Sequence, residues 1–556
     1  MRVAALCLSA MLAVTIPTRS STALATAKSS GVFGVSNVNV PHGGSTSAST
    51  STLAKASASA STLSTTLAST STSTTRTSAA ATMDASIETP STVSTTVDAS
   101  SSEGDKRPMH ILFLSADTGG GHRASAEALA KQFLIQFPGS TYELADIWTD
   151  HGVLPYRTIV NTYKRMSARP LEWKIFYHLS NTIVNEVFAN VHSRATCGGR
   201  VKKRLESHNP DVIVSVHPTM NHCPLRSTQK TSKELGKHIP FFTVVTDLGS
   251  AHCMWFERKV DKLYVASDRL YKLARRRGGT APEDIVRTGL PIRHGFAVQA
   301  QKLGNDRTSA RGKDYQQQIR KELGIANPER QVVLVMGGGE GVGSLSDIVN
   351  HLYAELSGKG VDATVCVVCG RNEKLRNELL TRDFDAEAAA IAAGARKRTG
   401  GVRGLLRKVR RKHRIEARNA AAAAEATAPT RGSVAILPLG FLTNIPEYMV
   451  AADVLVSKAG PGTIAEAAAV GLPVLMTSFL PGQEAGNVDV VLEQNFGEYQ
   501  KRPSKIGERV TAWLQDTTLL QTMSQAAMVA GNPYAADEIV EDIGRQTVAW
   551  MNLNEK

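Results

Sequence analysis

The chain has 556 residues, 42% of them hydrophobic and 21% charged, with a formal charge of +14. That length fits two or three domains, and that hydrophobic share is enough for real cores. Six cysteines exclude a disulfide-stapled scaffold, no apolar run reaches the ~20 residues of a bilayer-spanning helix, and the basic excess points to an anionic partner: phospholipid, nucleic acid or a phosphorylated substrate.

Residues 1–25 read as a signal peptide: Met1-Arg2, an uncharged stretch Val3–Ile16, then the small-x-small site Ala23-Leu24-Ala25. Residues 26–106 read as a disordered transit-like tract. Within them, 41–100 hold 32 Ser or Thr and five charged residues, too little apolar surface to offset the entropy of ordering. A signal peptide followed by such a tract resembles the two-part leader of a plastid enclosed by more than two membranes. The alternative is a secreted Ser/Thr-rich linker open to O-glycosylation.

From His110 an α/β pattern begins. His110–Ser115, Val212–Val216, Phe241–Thr246 and Leu263–Val265 are short apolar runs, expected as parallel strands buried on both faces. Helical spacing between them, as in Ser125–Phe137, indicates βαβ units. A second series follows: Val332–Met336, Ala363–Val368, Val434–Leu437, Val454–Ser457 and Val474–Met476. The expected fold is α/β, two doubly wound Rossmann-like domains facing a cleft. The N-terminal domain spans 107–300, the C-terminal domain 301–545 and a tail 546–556, with a linker near Pro291–Arg311. An insert at about 385–432 interrupts the second domain. Its core, 395–418, carries eleven Lys or Arg against Glu416, most of the chain's net charge.

Three glycine-bearing segments carry the chemistry. Asp117-Thr-Gly-Gly-Gly-His-Arg-Ala-Ser125 follows a strand and opens a helix, so Gly119, Gly120 and Gly121 let backbone N–H groups approach a ligand at the positive helix end. His122 is held neutral there by the helix N-terminus, a state suited to a general base. A lone histidine more simply caps a helix or fills a core, and that reading stands beside the first. No Gly-Lys-Ser/Thr closes the segment, so it is not a P-loop. Lys458-Ala-Gly-Pro-Gly-Thr-Ile-Ala-Glu466 is a second strand–turn–helix, suited to a pyrophosphate, with Glu466 aimed at vicinal ribose hydroxyls or simply favoured by the helix dipole. Pro481-Gly-Gln-Glu-Ala-Gly-Asn487 offers Gln483 and Glu484 to sugar hydroxyls, or is a polar turn. Cys366 and Cys369 lie in an apolar strand with no second pair, and read as core.

With Val244-Val-Thr-Asp-Leu248, His252, Trp255-Phe256, Gly289-Leu-Pro-Ile-Arg293, Gly337–Gly343, Cys369-Gly-Arg-Asn-Glu-Lys374 and Gly440-Phe-Leu-Thr-Asn444, these segments closely resemble the monogalactosyldiacylglycerol synthases. Those plastid enzymes are GT-B glycosyltransferases, a group that includes the bacterial lipid II GlcNAc transferase. The resemblance covers roughly 110–545 without the basic insert.

The resemblance implies inverting transfer of galactose from UDP-galactose to 1,2-diacylglycerol, giving the β-galactolipid, with His122 as the base. A UDP-glucose-dependent glycolipid synthase is the alternative. It implies UDP-sugar contacts at Arg293, Gly337, Gly338, Gly339, Arg371, Phe441, Leu442, Gly460, Gly462, Thr463, Glu466, Gln483 and Glu484. Among these Phe441 and Leu442 would meet uracil, Glu466 the ribose, and Gln483 and Glu484 the galactose. Pro155 and Arg226 match positions tied to acidic phospholipid, and Trp255 one near the acceptor, with plain core packing as its alternative. No cofactor or bound metal is expected, since helix dipoles and basic side chains stabilise UDP in this class. Asp383-Phe-Asp385 is read as incidental.

The expected partners are diacylglycerol and an anionic membrane surface, with the protein monotopic on a plastid envelope. The basic insert is either an extra contact with an anionic leaflet or a disordered loop. Nucleic acid is not expected, because the charge sits in one insert and aromatics are 5%. The sequence departs from the family at Cys253, where Pro is usual, in the insert, and in the longer leader.

Overall fold

The computed structural model describes residues 106–116, 118, 120–337, 345–393 and 431–556. The leader, Asp117, Gly119, residues 338–344 with Gly338 and Gly339 among them, and the basic insert core lie outside the described residues.

The N-terminal half forms a sheet of six parallel strands in the order β2-β1-β3-β4-β5-β6. These are β1 His110–Leu114, β2 Thr141–Ala145, β3 Val212–Ser215, β4 Phe241–Val244, β5 Lys262–Val265 and β6 Ile285–Arg287. The C-terminal half forms a second parallel six-stranded sheet, β12-β11-β10-β7-β8-β9. Its strands are β7 Gln331–Met336, β8 Ala363–Val368, β9 Val434–Leu439, β10 Val454–Ser457, β11 Val474–Met476 and β12 Gly497–Tyr499. This is the GT-B architecture.

Alternate residues of each central strand enter opposite cores, which is why the strands read as continuous apolar runs. Leu112 and Leu114 pack with Trp255 and Phe241 on one face of the first sheet, while Ile111 and Phe113 pack with Phe133 and Phe242 on the other. In the second sheet Leu334 and Leu455 face one core, Val335 and Val456 the other. Cys366 and Cys369 are buried free thiols in these cores, as expected.

Residues 546–556, expected as a tail, instead contain the last turns of the helix Ala535–Asn554, which runs back over the first sheet. Ile539, Val540 and Ile543 join the cluster of Ile111, Phe133 and Phe137, and Asp542 takes Lys262 at 2.9 Å and the Tyr264 hydroxyl at 2.8 Å. An apolar helix face this extensive needs a sheet to cover it. The chain therefore crosses between halves twice, and the crossings touch: Asn532 Nδ2 donates to the Thr288 carbonyl at 2.6 Å.

Strand order reverses between β1 and β3 in the first sheet, and between β7 and β10 in the second. The crevice at the carboxyl ends of such strands is where open α/β sheets hold ligands. His122 follows β1 and His217 follows β3. Gly337 follows β7, and the Gly460 turn follows β10.

Candidate active site

Gly120 caps the helix Gly121–Gln136 at φ 79°, a left-handed conformation that glycine adopts without strain. His122 is the second helical residue, and it is buried. Its Nδ1 lies 2.6 Å from Thr246 Oγ1, at the end of β4. Burial lowers its pKa to about 4, with a hydrogen bond to the Val216 carbonyl opposing the shift. The expected neutral imidazole is therefore produced chiefly by desolvation.

His122 lines a cavity of about 150 Å³. Aromatic side chains of two helices, Trp173, Phe176 and Tyr177 of Pro170–Ser180 and Phe188 of Ile183–His208, form much of its wall, joined by Tyr156 and Tyr163. The polar end holds His122, His217, His252, Thr118 and Asp247. Asp247 accepts from Trp255 Nε1 at 2.7 Å, and burial pushes its carboxyl up to about 7. Burial also lowers His252 to about 4 and His217 well below its ordinary value. Asp247, His217 and Thr246 received no role from the sequence. The available signal was position: each is a polar residue at the carboxyl end of a buried strand.

From the second sheet, Gln483 reaches the same cavity, and its Oε1 is buried with no hydrogen-bond partner. Its neighbour Glu484 accepts from Lys458 Nζ and from the Leu480 N–H, each at 2.7 Å. Ser250 Oγ donates to the Gln483 carbonyl at 2.6 Å, and the Gly249 N–H to Asn487 Oδ1 at 2.9 Å, so this loop docks on the first half.

The helix Pro461–Ala469 starts at Gly460, with Gly462 and Thr463 in its first turn. Glu466 is paired: Arg293 Nε and Nη2 both donate to its Oε1, at 3.0 and 2.8 Å. Burial raises the Glu466 pKa, and Arg293 opposes that. The second carboxylate oxygen has no partner among the described residues. Arg371 stacks its guanidinium on the exposed Phe441 ring, 5.5 Å from the centroid, with the half-buried Leu442 beside Phe441 in sequence.

The three residues matched to lipid are separated. Pro155 lines the cavity. Arg226 instead bonds Gln229 at 3.1 Å and pairs with Glu257 at 3.6 Å. Trp255 is fully buried in the core, 6.0 Å ring to ring from His122, and holds Asp247. Cys253 is buried beside it, its N–H on Asn181 Oδ1 at 2.7 Å. Asp383 caps the helix Phe384–Ala392 and Asp385 accepts from Tyr353, away from this cluster. Among the described residues no group of three His, Cys, Asp or Glu is placed to hold a metal ion, and no helix is long and apolar enough to cross a membrane.

Two parallel sheets with glycine turns at both reversal points place the chain in the GT-B fold class. A family model for monogalactosyldiacylglycerol (MGDG) synthase matches residues 122–292, and one for the glycosyltransferase family 28 C-terminal domain matches 414–539. Monogalactosyldiacylglycerol synthase 1, chloroplastic, of Arabidopsis thaliana is 33% identical over 446 residues, 79% of this chain and 71% of that protein. The chloroplastic synthase of Spinacia oleracea is 33% identical over 451 residues, 78% and 72% of the two chains. A solved structure of Acinetobacter baumannii MurG is similar at a TM-score of 0.44 and 16% identity, over 78% of this chain and 98% of that one. The chain belongs to the monogalactosyldiacylglycerol synthase family.

Proposed function

We infer that the chain transfers galactose from UDP-galactose to 1,2-diacylglycerol, giving the β-linked monogalactolipid. Family membership supports this reading, and the observation that carries it is the aromatic-walled cavity ending at a buried, neutral histidine. The acyl part of the acceptor lies against Trp173, Phe176, Tyr177 and Phe188, and its free glycerol hydroxyl meets His122 Nε2.

His122 takes the hydroxyl proton as the oxygen attacks the anomeric carbon from the face opposite UDP. One displacement inverts α to β. An imidazole with a pKa near 4 is unprotonated at neutral pH, and the negative diphosphate of an arriving donor raises its proton affinity. The departing UDP is stabilised by the N-terminus of the helix Pro461–Ala469 and by Arg293, with no step assigned to a metal. Glu466 meets the ribose through the oxygen that Arg293 leaves open. Gln483, with its unpartnered amide oxygen, and Glu484 meet galactose hydroxyls. Phe441 and Leu442 meet uracil, with Arg371 stacked behind.

The acceptor comes from a bilayer. Leu171, Ile175, Ile183, Val184, Val187 and Val191 are exposed on the two helices whose other faces line the cavity. This supports a monotopic enzyme whose cavity opens toward lipid, with an anionic leaflet favoured by the chain's basic charge. The relatives' printed names and the leader reading support a plastid location, and a bilayer-borne acceptor supports its envelope. Purified protein given diacylglycerol with UDP-galactose or UDP-glucose, followed by mass and linkage analysis, tests the activity. A β-galactosyl product is expected; a glucosyl or α-linked product overturns the reading.

A further inference from the structure

Three histidines face the cavity, His122 and His217 buried and His252 half-buried, and their hydrogen bonds give them different proton positions. A threonine hydroxyl has one proton to donate, and a carbonyl has none. Thr246 Oγ1 donates its proton to the Val216 carbonyl at 3.3 Å. At 2.6 Å from His122 Nδ1 the same oxygen is therefore an acceptor, so Nδ1 carries the ring proton. The ring's one side-chain hydrogen bond among the described residues is at Nδ1, which leaves the Nε2 lone pair open.

The neighbouring rings are arranged the other way. His217, 4.7 Å from His122 between centroids, accepts the Thr219 backbone N–H at Nδ1, 3.3 Å away, and points its Nε2–H at Thr118 Oγ1, 2.9 Å away. His252 accepts the Met254 N–H at Nδ1, at 3.4 Å. Its Nε2 lies 3.2 Å from Ser180 Oγ, whose own proton goes to the Tyr177 carbonyl. Both of these rings therefore spend their lone pair on Nδ1 and keep a proton on Nε2. Among the three, His122 alone holds a lone pair at Nε2.

We propose that Thr246 is a positioning residue for the transfer reaction: its hydroxyl fixes the His122 tautomer that presents a basic Nε2 to the acceptor hydroxyl. The proposal rests on the reading of His122 as the base. Thr246 does not touch the reacting atoms. It fills the place that a carboxylate takes in a Ser–His–Asp triad, orienting the imidazole without adding a charge to a buried site.

The test compares Thr246→Val, which keeps the shape and removes the acceptor, with Thr246→Ser, which restores it. Val is expected to lower kcat about tenfold to a hundredfold, the scale seen when the hydrogen-bond partner of a metal-bound histidine is removed, with the KM for UDP-galactose unchanged. Ser is expected to return kcat toward wild type. ¹⁵N spectra of histidine-labelled wild type, with the His122 signals identified by their loss in His122→Ala, are expected to show protonated Nδ1 and unprotonated Nε2. A wild-type spectrum with the proton on Nε2 overturns the proposal whether or not the valine variant folds. So does a valine variant with wild-type kcat. If His122→Ala keeps a near-normal rate, the base reading is what fails.

Discussion

Asp247 and His122 occupy one cavity, yet their buried environments tilt stability in opposite directions with pH. Burial raises the Asp247 pKa to about 7, so the folded protein prefers the protonated acid. Its contribution is fully present below the unfolded value near 4 and is lost as pH rises through about 7. Burial lowers His122 to about 4, so its contribution is present above the unfolded value near 6.5 and is lost as pH falls toward 4. Asp247→Asn removes the first dependence while leaving an oxygen for the Trp255 N–H. Relative to wild type, the variant is expected to melt higher at pH 8, with the advantage shrinking at pH 5; thermal scans at the two values check this. Such pairs are not legible in sequence. His122 stood out because three glycines precede it, whereas Asp247 and His217 follow strands without a local pattern. Only the strand order shows that β1, β3 and β4 end at one place.

Helices and strands were legible in proportion to their burial. Central strands such as Ile111–Leu114 and Val332–Val335 are apolar on both faces and announce themselves. The strands β2, β6 and β12 were missed, and each is an edge: β2 alternates exposed Thr141 and Glu143 with covered residues, while β6 and β12 are three residues long. The helices Pro170–Ser180 and Ile183–His208 were also unassigned, because apolar residues occupy both their inner and outer faces and blur the helical period. That double face is what the proposed contact with a bilayer requires. Replacing Val187 and Val191, 57% and 64% exposed, by Glu is expected to reduce sedimentation with anionic vesicles and to raise the KM for diacylglycerol in them. Folding stability should move within about 0.5 kcal/mol, as for other surface substitutions, which denaturant titration measures.

At the scale of the whole molecule, the final helix belongs to the first sheet although the second sheet precedes it in sequence. Ile543 is fully buried there, and Ile543→Ala is expected to cost about 2–5 kcal/mol in chemical denaturation. The loss is expected at the first sheet, far along the chain from the altered residue, which hydrogen exchange on β1 and β3 reads directly. Because the backbone passes between the lobes twice, side by side at Thr288 and Asn532, sliding and twisting would have to stretch one strand of the pair against the other. Rotation about the line through both passes asks least of the backbone, and it is opposed by the docking of the Gln483–Asn487 loop on Gly249 and Ser250. Two adjacent passes thus act as a double strap, which keeps the His122 side of the crevice in one register with the Gly460 turn that faces it across the halves.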